Sequence, residues 1–251
     1  MRVARFSLNG EPKFGIVDGP ELVILAGHPL VSGYETTGDR VAIKEVKLLA
    51  PSIPSKVVCV GKNYADHIAE MNLSTEAEPT LFLKPSSSII GPGDAIVLPA
   101  QSKQVDLEVE LAIVIGQIAK NVTEEQALDF VWGFTIANDV TARDLQASDD
   151  QWARSKSFDT FCPLGPWIET EFVPDGQILE SRIDGDTKQQ ASIDLMIHNV
   201  PKLISYVSHN MTLLPGDVIL TGTPAGITRI SSGELVECEV EGIGTLINPV
   251  V

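Results

Sequence analysis

The stretch VDLEVELAIVIG, residues 105–116, constrains the fold more than any other part of the chain. Its β-branched and aliphatic residues, closed by Gly116, spell a β-strand. Alternate side chains of a strand point to opposite faces, so Asp106, Glu108 and Glu110 share one face, which continues as Ala112 and Val114. The second half is apolar on both faces, the pattern of a strand covered on both sides. A chain containing this segment has to run from an acidic end into a two-sided core.

The remaining segments are compatible with such a core. Residues 1–54 hold short alternating stretches (MRVARFSL, KFGIVDG, AIKEVKLLAP) ended by Gly, Pro and polar turns, which predicts a small β-rich N-terminal region. PSIPS at 51–55 punctuates the chain, and residues 55–251 form the second, larger part. There KVVCVGKN, PTLFLKP, GPGDAIVLP and VWGFTIANDVT read as strands with turns. Helices are expected at NYADHIAEM, with Asn63 as N-cap, and at TEEQALDF, with Thr123 and Gln126 as a capping box. TARDLQASDDQWARS reads as one further capped helix, and NVPKLISYVSHN as a helix with Pro201 in its first turn. The fold class that results is mainly β with a few short helices (α+β).

Composition narrows the function classes. The 251 residues are 43% hydrophobic, ample for a core, and no apolar run approaches the roughly 18 residues of a membrane span or the pattern of a secretory leader. A cytoplasmic protein with no membrane partner is expected. The formal charge of −16 argues against a nucleic-acid surface, which needs clustered Lys and Arg. Cys59, Cys162 and Cys238 are odd in number and widely spaced, so they predict neither a disulfide framework nor a thiolate zinc site.

Three groups of residues could carry chemistry. Glu108 and Glu110, with Asp139 in IANDVTARD, would together make a cage of hard oxygens suited to Mg2+ or Mn2+. Taken alone, E-x-E is more often a solvated strand face. His67 and Glu70 sit three apart on a helix, where a carboxylate can orient an imidazole for general-base work. Taken alone, this is more often a surface pair; His28, His198 and His209 show no similar arrangement. Arg143 and Gln146 share a helix face and could hold a carboxylate. Lys156 lies in RSKSFDTFCPLGP, and Thr223 in LTGTPAG, which offers backbone N–H groups to an anion but is not a phosphate loop. A salt bridge or a turn would explain each of these separately.

Their joint occurrence is more specific. VGKNYADHIAEM, PTLFLKP, VDLEVELAIVIG, FTIANDVTARDLQ, RSKSFDTFCPLGP and GDVILTGTPAGI, in that order, resemble the fumarylacetoacetate hydrolase family over about residues 55–250. Within it the chain is similar to short acylpyruvase and oxaloacetate decarboxylase members and to bacterial 2-hydroxyhepta-2,4-diene-1,7-dioate isomerases. The resemblance implies a mixed β-roll, a homodimer, and a Mg2+ or Mn2+ cofactor on Glu108, Glu110 and Asp139. It also implies a catalytic dyad of His67 and Glu70 on a helix that closes over substrate, with Lys156 beside the metal and Arg143, Gln146 and Thr223 against the substrate. No position of the triad or dyad departs from the family pattern.

The implied activity is C–C bond cleavage in a small 2-oxo acid, by acylpyruvate hydrolysis or oxaloacetate decarboxylation through an enolate stabilised by the metal. Isomerisation of a 2-hydroxy-dienoic acid in aromatic catabolism is the alternative, and a non-catalytic binder of metal and 2-oxo acid is a third reading. Residues 63–79 are expected to be mobile without ligand, with the polar loop at 72–79 as hinge. Asp106 points with the two glutamates but has no place in the family triad.

Overall fold

The computed structural model describes residues 1–71 and 77–251; residues 72–76, the first part of the hinge expected at 72–79, lie outside the described residues. The strand Val109–Ile115 is at the centre, and all of its residues are buried. It pairs antiparallel with Val131–Asn138 on one side and with Val218–Leu220 on the other. Its alternation feeds two cores. Leu111, Ile113 and Ile115 pack with Ile136, Leu203, Val207 and Val240, whereas Ala112 and Val114 pack with Val57, Cys59, Leu164 and Leu220. Full burial of each larger aliphatic side chain contributes about 1.5–3 kcal/mol, so both faces anchor the strand.

Around it runs a mixed sheet. Beyond Val131–Asn138 lie Cys162–Glu169, Arg2–Leu8, Glu11–Asp18, Glu21–Leu25 and Thr36–Ala42; beyond Val218–Leu220 lie Val57–Gly61 and Thr80–Lys84. Neighbours are antiparallel except Val57–Gly61 against Val218–Leu220, and Ile89–Ile90 against Cys162–Glu169. The N-terminal strands continue this sheet, with Arg2 opposite Glu169 and Val3 opposite Ile168. A second sheet of four strands, in the order Asp186–Ser192, Ile178–Ile183, Leu235–Val240 and Gly244–Pro249, shares the larger core. The mainly β architecture expected from the sequence is therefore present. No described helix is long and apolar enough to cross a membrane.

Several local expectations are corrected. The segment read as one helix at 141–155 is two short helices, Arg143–Ser148 and Ala153–Lys156, neither with a side-chain cap. The segment after Thr123 is a 3-10 helix, Glu124–Phe130, and Thr123 makes no side-chain cap to its backbone. The helix near His67 is Ala65–Glu70, starting after Tyr64 rather than after Asn63. Asn63 is buried and spends its amide on tertiary contacts: it donates to the carbonyls of His198 (3.0 Å) and Thr221 (2.7 Å) and accepts from the His198 N–H (2.7 Å). The longest described helix, Val200–Asn210, does have its expected start, with Asn199 accepting from the Lys202 N–H at 3.0 Å and Pro201 in the first turn.

The turn feeding Val218–Leu220 depends on Asp217, whose side chain is fully buried. One carboxylate oxygen accepts from the Ser55 N–H (3.0 Å), the Ser55 hydroxyl (2.6 Å) and the Lys56 N–H (3.2 Å). The other accepts from the Leu214 N–H (2.8 Å) and the Lys56 ammonium. Burial alone would raise this carboxyl, but the bonds from Lys56, Ser55 and Leu214 outweigh it and hold it below the usual range. A depressed carboxyl contributes stability above its unfolded value, about 3.9, and loses it as pH falls through the folded one. Asp217→Asn is therefore expected to lower the unfolding free energy at pH 7 by roughly 1.5–3 kcal/mol. The difference from the unmodified protein should shrink as pH falls below about 3.9. Denaturant titrations from neutral to acid pH check both parts, and a pH-independent difference would contradict them.

Candidate active site

The acidic stretch is not one strand. Val105–Leu107 and Val109–Ile115 are separate, and Glu108 stands between them. The first pairs with Thr141–Ala142 and Thr228–Arg229, and the second with the central sheet. Side chains hold the break. The Glu108 N–H donates to Asn138 Oδ1 (2.9 Å), and the Glu108 carbonyl accepts from the Asp139 N–H (2.8 Å). Just past it, the Val109 N–H donates to Gln189 Oε1 at 3.0 Å. Buried backbone groups need partners, and here side-chain amides supply what a continuous ladder would have supplied.

This break and the turn after Asn138 bring Glu108, Glu110 and Asp139 together. All three are buried, and one oxygen from each lies within 4.8 Å of the others. Burial, then the neighbouring Asp139 and Glu108, push the Glu110 carboxyl well above the usual carboxylate range. Glu108 goes the other way: burial would raise it, but the Lys156 ammonium and the Arg143 guanidinium hold it below that range. Three hard oxygen donors whose mutual repulsion favours a proton on one of them fit a Mg2+ or Mn2+ ion, whose charge replaces that proton.

Fixed cations surround the triad. Lys156 Nζ bridges Glu108 Oε2 (2.8 Å) and Asp139 Oδ2 (2.7 Å). Burial would lower the Lys156 ammonium, but Asp139 and Glu108 outweigh it and raise it, so it stays charged. Lys84, itself buried, donates to Asp139 Oδ1 at 2.5 Å and to the Val140 carbonyl at 3.1 Å. Arg143 donates to Asp106 Oδ2 (2.8 Å), to Gln146 Oε1 (2.6 Å) and to Glu108 Oε1. Asp106, the unassigned acid of the sequence, thus braces Arg143, and both its oxygens also accept from Gln104 Nε2 at 3.2 Å. Three of the five Arg143 N–H groups are used in this way, which leaves two for other acceptors among the described residues.

His67 and Glu70 reach the same place from the helix Ala65–Glu70. His67 is 8% exposed, and its Nδ1 lies 3.2 Å from Glu70 Oε2. A carboxylate only accepts, so in the neutral imidazole this contact favours the tautomer with the proton on Nδ1 and the lone pair on Nε2. A cavity of about 280 Å³ is lined by His67, the triad, Arg143, Gln146, Lys156 and Thr223, with Val60, Gly61, Lys62, Met71, Phe82, Ala147 and Trp152 completing the wall. Apart from Glu70, which stands behind His67, every site residue expected from the sequence lines it.

The loop after Leu220 acts differently from the expected anion seat. Its backbone N–H groups serve the protein's own carboxylates: Gly222 donates to Glu110 Oε2 at 2.6 Å, and Gly226 to both oxygens of Glu70 at 3.2 and 3.3 Å. Gly222 has φ +99°, and a Cβ there would lie 2.7 Å from Asn63 Cβ. The Thr223 hydroxyl donates to the Val109 carbonyl (2.9 Å) and accepts from Gln189 Nε2 (2.8 Å). Its proton thus holds the strand that carries Glu110. Lys84, Asn138 and Gln189 were not singled out in the sequence. A lysine inside the strand-like LFLKP is the one signal among them, since a lysine is rarely fully buried without a partner.

Similarity to known proteins places this geometry. The family model described as fumarylacetoacetate (FAA) hydrolase C-terminal matches residues 56–251, and that described as Rv2993c-like, N-terminal matches residues 1–51. Protein Rv2993c of Mycobacterium tuberculosis is 51% identical, over 100% of this chain and 98% of that protein. A mitochondrial oxaloacetate tautomerase of Xenopus laevis is 44% identical over 82% of this chain and 69% of its own. Among solved structures, the 2-hydroxyhepta-2,4-diene-1,7-dioate isomerase of Mycobacterium marinum superposes with TM-score 0.93 at 46% identity, covering 100% of this chain and 98% of that one. The maleylpyruvate hydrolase of Sphingobium sp. SYK-6, in complex with manganese(II) and pyruvate, superposes with TM-score 0.83 at 29% identity, covering 100% and 99%. Hydrolase, isomerase and tautomerase thus occur on one architecture, and a buried acidic triad is present in this chain. The chain belongs to the fumarylacetoacetate hydrolase family of enzymes.

Proposed function

We propose that this cavity is the active site of a divalent-metal-dependent enzyme that cleaves a C–C bond in a small 2-oxo acid, by acylpyruvate hydrolysis or oxaloacetate decarboxylation. The observation that carries the reading is the placing of a carboxylate-oriented imidazole, His67, on the wall of the cavity that also holds three converging buried carboxylates. Glu108, Glu110 and Asp139 are the proposed ligands. A bound Mg2+ or Mn2+ would draw electrons from a 2-oxo acid's carboxylate and carbonyl and offset negative charge that develops on the oxygen.

The protein's own groups do the rest. Lys156 and Lys84 hold Glu108 and Asp139 in place, and the Gly222 N–H fixes Glu110. The two remaining Arg143 N–H groups and the Gln146 amide are the proposed contacts for the substrate carboxylate, with Asp106 preventing the guanidinium from rotating. Thr223 acts on the substrate wall chiefly by positioning Val109. In hydrolysis His67 Nε2 takes a proton from the water that attacks the acyl carbonyl, the C–C bond electrons pass to C3, and His67 returns the proton there. In decarboxylation CO2 leaves, the C–C bond electrons pass to C3, and the same nitrogen relays to C3 a proton taken from water, leaving hydroxide.

Tautomerisation or isomerisation is a second reading, and it has its own support. Relatives at 44% and 46% identity are a tautomerase and an isomerase, and a proton moved by His67 between the enol oxygen and a carbon, C3 in a keto–enol exchange or C5 in a 2,4-dienoate, is the whole of that chemistry. A substrate panel with Mg2+ or Mn2+ separates the readings: pyruvate release and CO2 release report cleavage, and an ultraviolet shift alone reports proton transfer.

His67→Asn is expected to lower turnover of the best substrate by roughly 100- to 10,000-fold while oxalate still binds the Mn2+-loaded protein. Retained turnover would remove His67 from the chemistry, and a panel with no turnover in the unmodified protein would favour a non-catalytic binder. Asp139→Asn or Glu110→Gln should weaken Mn2+ binding in calorimetry by at least the roughly 10–100-fold that loss of an outer partner costs. Unchanged affinity in both would reject the ligand assignment.

A further inference from the structure

The proposed chemistry uses the carboxylate triad, His67, Arg143 and Lys156 of the cavity lining, but not its aromatic wall. Gly61 ends the strand Val57–Gly61, and its φ is not in the left-handed region, so its backbone conformation does not call for glycine. A neighbouring side chain does. A Cβ on Gly61 would lie 2.6 Å from Trp152 Cζ3 and 3.1 Å from Cη2, closer than atoms pack. The outer ring of the indole is seated on the bare Cα.

The seat has further contacts among the described residues. The Trp152 ring meets Phe82 edge to face, with centroids 5.4 Å apart at 76°, a favoured aromatic geometry. The other side of the pair is set by Lys156, whose Nζ lies 5.0 Å from the Phe82 centroid while it bridges Glu108 and Asp139. The Trp152 carbonyl accepts from the Lys156 N–H (3.1 Å) and the Ser155 hydroxyl (2.9 Å), so the backbone under the indole is fixed as well. Trp152, Phe82 and Met71 line the cavity together with the carboxylate triad. At about 280 Å³ the space is just below the roughly 300–1,000 Å³ typical of drug-sized ligand sites, so one wall position decides how much of a ligand fits.

We propose that Trp152, seated on Gly61, is the specificity-determining residue for the tail of the substrate beyond its 2-oxo acid group, and that it restricts the site to 2-oxo acids with short tails. The inference rests on the 2-oxo acid reading of the site. With the acid group drawn to the charged end of the cavity, a tail has to lie along the apolar wall, of which the indole is a part. Each methylene that a hydrophobic pocket cannot place is worth roughly a 10-fold or larger loss.

The test measures binding of oxalate, pyruvate and 2-oxooctanoate to Mn2+-loaded protein by calorimetry, without reference to turnover. The unmodified protein should bind pyruvate at least about 10-fold more tightly than 2-oxooctanoate. Trp152→Ala should reduce that ratio by about 10-fold, and Trp152→Phe, which keeps an aromatic contact to Phe82 but loses the outer ring, should reduce it as well. Gly61→Ala should change the ratio in the unmodified background and have less than about a twofold effect in the Trp152→Ala background, because the two positions are coupled by contact. A ratio unchanged in both Trp152 variants, or a Gly61→Ala effect equal in the two backgrounds, would overturn the inference while oxalate binding kept the 2-oxo acid reading intact. Failure of the unmodified protein to bind oxalate would overturn that reading, and the inference with it.

Discussion

The interruption of the acidic stretch at Glu108 is the constraint on which the site depends. An unbroken ladder would make 105–115 a single strand in a single sheet. Instead Asn138 takes the Glu108 N–H, Gln189 takes the Val109 N–H, and the chain passes from a three-stranded sheet into the central one. The break lets Glu108 and Glu110 converge with Asp139, because the same turn that supplies Asn138 supplies its neighbour. Buried side-chain amides that satisfy interrupted backbone are a fold feature first; here they also set the spacing of the carboxylates.

Burying that much negative charge requires compensation, and the compensation is graded. Asp106, Glu108, Glu110 and Asp139 face Lys84, Arg143 and Lys156, four acids against three bases. Glu108 and Asp139 are each paired through both oxygens, whereas Glu110 has the Gly222 N–H as its described hydrogen-bond partner. The deficit therefore falls on Glu110, whose carboxyl is pushed up. A divalent ion at this point would remove the deficit, and Lys156 and Arg143 hold the Glu108 carboxyl down beside it. Each lysine thereby serves both the folded state and the proposed metal site.

Much of the fold was legible because it rests on period. The alternation in 105–116, the short β-branched runs and the Asn199–Pro201 start of the longest described helix are local signals, and local signals survive in a sequence. The acids, the histidine dyad and Lys156 were legible as a set of motifs, although each one alone reads as surface. What was hidden is long-range. Asn63 has the look of a cap, but its amide is used by residues 198 and 221, more than 130 positions away. Arg143 reads as a free ligand-binding group, and nothing in its spacing shows that Asp106 and Glu108 take part of its fork. Thr223 and the glycines around it offer an anion seat, and the anions turn out to be Glu110 and Glu70. Hydrogen-bond partners selected by tertiary packing leave no spacing rule in the chain.

Anomalous diffraction from crystals grown with Mn2+ tests the central claim most directly, because it locates the ion without reference to substrate or turnover. The account predicts one peak per chain inside the cavity, with an oxygen of Glu108, of Glu110 and of Asp139 each at about 2.1 Å. A peak outside this cavity, or a well-ordered triad with no ion at saturating Mn2+, would contradict it.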